Sequence, residues 1–112
     1  MIMHGKDFDI RISNTHRIRF TSNAFAADSR LLIDLLETNG HAKILVFIDS
    51  GVAKAFPDLE KQVNAYLDRM PGFVSRGTIV QTGGEVCKRD ANTLQAAWDA
   101  IEKAGIDRHS YI

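Results

Sequence analysis

The chain has 112 residues, 45% of them hydrophobic and 25% charged; that length encloses one core and not two, and that composition is globular rather than disordered. Fourteen basic residues balance fourteen acidic ones, so no cationic surplus exists to displace counterions, and nucleic acid is not an expected partner. The longest apolar run, "ILVFI" at 44–48, is too short to span a bilayer; "MIMHGKDFDI" lacks a signal-peptide pattern, and the lone Cys87 can form no internal disulfide, so a cytoplasmic protein is expected.

In chain order, "FDIRISNTHRIRF" alternates Ile10 and Ile12, then Ile18 and Phe20, with polar residues around Ser13, Asn14 and Thr15, a pattern that predicts an N-terminal β-hairpin. From Asp28 the spacing turns helical: Leu31, Leu32, Leu35 and Leu36 share a face, Asp28 or Ser29 suits the cap and Gly40 the stop. "AKILVFID" is a continuous β-rich run, which predicts a central parallel strand covered on both faces. "DSGVAKAF" then starts a short helix or turn, and "PDLEKQVNAYLDRM" places Leu59, Val63, Tyr66 and Leu67 on one side of a helix. "GTIVQ" at 77–81 predicts another strand. A last helix is predicted from about Asp90 to Ala104, with Leu94, Ala97, Trp98 and Ile101 as its buried stripe and Gly105 beyond its end. "SYI" at 110–112 has the look of a further strand's first residues, so the sequence reads as a fragment or truncated product. Alternating strands and helices predict a three-layer α/β domain with a mostly parallel sheet.

Ligands of open α/β sheets bind beyond the carboxyl ends of the strands, where two loops stand out. Asp49 of "DSG" can accept hydrogen bonds from vicinal ribose hydroxyls, or can cap the helix that follows it. In "VQTGGEVCKRD", Gly83 and Gly84 can bring backbone N–H groups close to a ligand while Glu85 and Lys88 meet hydroxyls or a phosphate; a turn followed by an exposed ion pair fits the same residues. The Gly-x-Gly-x-x-Gly and Gly-x-x-x-x-Gly-Lys-Ser/Thr signatures are absent. Trp98 reads as core and Cys87 as an inert thiol, while Arg108 and His109 suit the end of a helix dipole. His4, His16, His41 and His109 are scattered without metal-ligand spacing.

Taken together, "GGEVCK", a helix and then "AGIDRHSYI" resemble the N-terminal half of the 3-dehydroquinate synthase family, the sugar phosphate cyclases. In that family a strand pair, an acidic strand end, a Gly-Glu-x-x-Lys loop, a helix and an Asp-Arg-x-Ser segment follow one another, then a strand and a triple-glycine turn. The resemblance implies a Rossmann-like, NAD-binding N-terminal domain over 1–112, with Asp49, Gly84, Glu85 and Lys88 as cofactor contacts. It implies a lyase that uses NAD and a zinc-type divalent metal to eliminate phosphate from a sugar phosphate and close a ring by aldol addition. The triple-glycine turn and the helical metal- and substrate-binding domain would lie beyond Ile112, so this chain alone is expected to be inactive. Gly51 replaces a common asparagine, and Thr82, Gly83, Gly84 and Glu85 replace a common Pro-Asp-Gly-Glu, departures that point to a divergent branch. A metal-dependent polyol dehydrogenase shares the two-domain plan. The reading from a different class is a free-standing, non-catalytic α/β binding module; an unpartnered sheet edge would favour a homodimer.

Overall fold

A computed structural model describes residues 3–112, apart from the side chain of Val86. Its elements are α1 (Leu31–Leu35), β1 (Ala42–Asp49), α2 (Ser50–Ala55), α3 (Leu59–Arg69), β2 (Phe73–Gln81), α4 (Gly84–Arg89) and α5 (Ala91–Lys103). The protein is mixed α/β, built on a small open sheet in which β1 and β2 run parallel.

β1 coincides with the predicted strand, because Ile44, Val46, Phe47 and Ile48 favour a pleated, covered backbone. Ile44 and Ile48 point to one face, where Val63, Tyr66, Leu67 and Met70 of the α3 side complete the buried core. The Tyr66 hydroxyl donates to the Ser29 carbonyl at 2.8 Å, and the Phe25 ring meets Tyr66 edge-on with centroids 5.8 Å apart. These contacts fasten the segment around Phe25 and Ser29 to α3, although α1 itself is a single short turn of five residues. Its leucine stripe is only half-buried, with Leu32 and Leu36 against the core. No side chain caps this helix, which limits its length.

β2 begins at Phe73, four residues before the predicted "GTIVQ". The register moves from Ile44↔Ser75 to Val46↔Thr78, so Arg76 and Gly77 together oppose Leu45. This is a β-bulge, and Gly77 adopts a φ of +87° within it. The extra residue breaks the alternation that would have announced the whole strand.

Tyr111 forms an isolated parallel bridge with Ile44: its N–H donates to the Lys43 carbonyl at 2.9 Å and its carbonyl accepts from the Leu45 N–H at 3.1 Å. Since β2 occupies the other edge of β1, the spatial order is β2, β1, Tyr111. Of the further strand that "SYI" was expected to begin, this single bridge at Tyr111 is what forms.

Two expectations are corrected. The predicted N-terminal hairpin is not formed, since no strand occurs among residues 3–20; Ile10 and Ile12 are 82% and 83% exposed. Two alternating segments without a third strand or a helix to cover them lack the burial that stabilises a hairpin. On α5, Leu94 and Trp98 are 52% and 61% exposed, so Trp98 is not core. Ala100 of α5 and Ala104 at its end face a cavity that they line together with Leu45 and Ile79 of the sheet. No helix among the described residues is long and apolar enough to cross a membrane.

Candidate functional site at the carboxyl ends of the strands

β1 and β2 end opposite one another at Asp49 and Gln81, so the two loops singled out in the sequence leave the sheet side by side. Asp49 turns the chain into α2: its Oδ1 accepts from the N–H of Gly51 at 2.7 Å and of Val52 at 3.3 Å, and its extended backbone is that of an N-cap. The capping role is therefore realised.

The second loop comes directly against that carboxylate. A Cβ added at Gly83 would collide with Oδ2 and Cγ of Asp49, so a larger residue fits here only if that carboxylate moves off its cap. Gly83 has a negative φ of −101°, and its requirement is space. Gly84 has a φ of +73° with open space around it, and its requirement is conformational. The two glycines solve different problems: one lets the loop approach Asp49, the other turns it into α4.

Glu85 and Lys88 emerge on the outside of α4. Lys88 Nζ donates to Glu85 Oε1 at 3.0 Å, and the side chains are 77% and 69% exposed. Their i,i+3 pairing satisfies both charges in water, where such a contact contributes about 0.2–1 kcal/mol at most. The Cys87 thiol donates to the Gly84 carbonyl at 2.9 Å, an internal contact of α4.

A cleft of about 390 Å³ opens between these strand ends and the start of α5, lined by Ser50, Gln81, Thr82, Asp90, Asn92 and Thr93 among others. Asp90 caps α5 by accepting from the Asn92 N–H, and its Oδ2 accepts from the Thr93 hydroxyl, both at 2.9 Å. The Thr93 hydroxyl foremost, then the Asn92 N–H, hold the Asp90 carboxyl below its usual range. Val80 and Ala96 complete a lining of mixed polar and apolar character, and Asp49, Gly84, Glu85 and Lys88 are not among the residues that line it. Gln81, Asn92 and Thr93 were not singled out in the sequence; their signal was position alone, at a strand end and at the first turn of the following helix.

The "DRHS" segment lies at the opposite end of the sheet and makes a turn. Asp107 Oδ1 accepts from the His109 N–H at 2.9 Å and the Ser110 hydroxyl at 3.0 Å, while the Ser110 hydroxyl oxygen accepts from the Asp107 N–H. This closed turn delivers Tyr111 to the edge of β1. Among the described residues no three His, Cys, Asp or Glu side chains gather as a metal site. The chain matches no protein-family model, no curated protein and no solved structure.

Proposed function

We propose that this chain is the NAD-binding, N-terminal part of a sugar phosphate cyclase of the 3-dehydroquinate synthase type, with a Rossmann-like arrangement growing outward from β1. The observation that carries the reading is the convergence of Asp49 with the Gly83–Gly84 loop at the carboxyl ends of adjacent parallel strands. A strand with neighbours reached in opposite directions, as β1 has in β2 and Tyr111, marks the place where such sheets bind nucleotides.

In this reading Asp49 keeps Oδ1 on the α2 backbone and offers the carboxylate to ribose hydroxyls. Gly83 and Gly84 let the backbone approach, and Glu85 and Lys88 exchange their mutual contact for ligand hydroxyls or phosphate. The chemistry of alcohol oxidation, phosphate elimination and ring closure belongs to NAD and a divalent metal; this chain supplies the adenosine end of the cofactor site. Titration calorimetry with NAD tests it. Asp49→Asn retains a cap acceptor but not the anionic charge, so it should weaken binding at least several-fold with stability little changed, and Lys88→Ala should weaken it further. No NAD binding, or affinity indifferent to both substitutions, removes the site.

A second reading, a non-catalytic interaction module, rests on a different observation: Leu94 and Trp98 form an exposed apolar stripe on α5. A folded chain indifferent to NAD whose Trp98 emission shifts on mixing with a protein partner would favour it.

A further inference from the structure

The segment before α1 is the least expected feature of the molecule. Phe8, Ile10 and Ile12, and beyond them Ile18 and Phe20, occupy alternate positions and are between 60% and 95% exposed. Residues 3–20 belong to no helix or ladder. The radius of gyration is 19.2 Å and the longest dimension 70 Å, against about 13 Å for the radius of a compact chain of this length. An arm with period-two apolar spacing is a strand without a sheet.

A matching sheet edge exists. β2 is paired on one side only, leaving the other edge open over the nine residues Phe73–Gln81, with Val74 and Val80 about 40% exposed. We infer that the arm adds as a strand to the free edge of β2 in a second copy of the chain, so that two copies exchange arms reciprocally.

The position of the arm's root favours a second copy over the arm's own body, and net charge and symmetry fit one. First, the root of the arm stands on the wrong side: Arg17 meets Glu37 at 3.9 Å, and the Glu37 backbone is held by the Tyr111 hydroxyl at 3.0 and 2.8 Å. Tyr111 lies on the edge of β1 opposite β2. Second, the charges are complementary. Residues 1–20 carry four basic and two acidic side chains, and the remainder ten and twelve, so a basic arm meets an acidic body. Third, the symmetry is self-limiting. The exchange is isologous, so it closes at two copies. Backbone pairing supplies affinity and the alternate side chains register. The inference does not rest on the nucleotide reading.

The test is mass in solution, by sedimentation equilibrium of the full chain at micromolar concentration. The expected result is twice the chain mass, falling to one chain in the Ile10→Asp, Ile12→Asp double variant with an unchanged far-ultraviolet dichroism spectrum. A second measurement protects against misfolding of that variant: Ile10→Cys and Val74→Cys chains, each also carrying Cys87→Ser, are mixed and treated with a short bismaleimide. Crosslinking between the two different chains is expected. A monomeric unaltered chain, a dimer indifferent to the double variant, or a crosslink formed only when both cysteines share one chain overturns the proposal.

Discussion

At Gly83 and Asp49 two residues constrain each other through a few atoms. Asp49→Ala removes the acceptor for the Gly51 and Val52 N–H groups and should cost about 1 kcal/mol in urea unfolding. Gly83→Ala drives a methyl group into the Asp49 carboxylate; the side chain can yield by rotating, but α2 then loses its cap, and the expected cost is about 1–3 kcal/mol. The two substitutions should therefore be non-additive, with Gly83→Ala markedly milder in the Asp49→Ala background, which a double-mutant cycle measures. Gly84→Ala should cost about 1–2 kcal/mol through its left-handed backbone, equally in both backgrounds. Additivity at Gly83 would show that the carboxylate is not what the glycine accommodates. The role of Asp49 as a cap was legible in the sequence, since a carboxylate before a helical pattern announces one. The reason for Gly83 was not, because the atoms it avoids belong to a different loop.

Among the elements, β1 and α3 were legible almost to the residue. One carries an unbroken apolar run and the other an unbroken helical periodicity, and each buries residues so marked: Ile44 and Ile48 on one, Val63 and Leu67 on the other. α5 shows the limit of the same argument. Its bulky stripe was assigned to the core, yet α5 buries none of its residues and leaves Leu94 and Trp98 outward. The alternation over residues 8–20 predicted a hairpin that is not formed, because a local pattern does not supply the neighbour with which a strand pairs. These assignments separate by mutation. Leu67→Ala, at 1% exposure, should lose about 2–5 kcal/mol of unfolding free energy, whereas Trp98→Ala should stay within about 0.5 kcal/mol in a monomeric background. Comparable losses at both positions would mean that α5 is turned with Trp98 inward.

On the scale of the whole molecule, the crossover from β2 to the far edge of β1 is held at both ends by a carboxylate. Asp90 caps the start of α5, with its pKa lowered by the Thr93 hydroxyl and then the Asn92 N–H. Asp107 closes the turn before Tyr111, with its pKa lowered by the His109 N–H and then the Ser110 hydroxyl. Both folded values lie below the ordinary 3.8, so the unfolded chain takes up these protons first as the pH falls. The stabilisation is thus fully present above the unfolded value and is lost as the pH drops through the folded values. Unfolding midpoints should hold from about pH 7 to pH 5 and decline below about pH 4. The difference between the unaltered chain and an Asp90→Asn, Asp107→Asn variant should be largest on the plateau and vanish at low pH. Acid should also act on one region first. Protection of the Leu45 and Tyr111 amides, which join the end of the crossover to β1, should weaken before that of the β1–β2 ladder in hydrogen exchange. If all amides lose protection together, the crossover and the sheet form one cooperative unit, and the two carboxylates act on global stability alone.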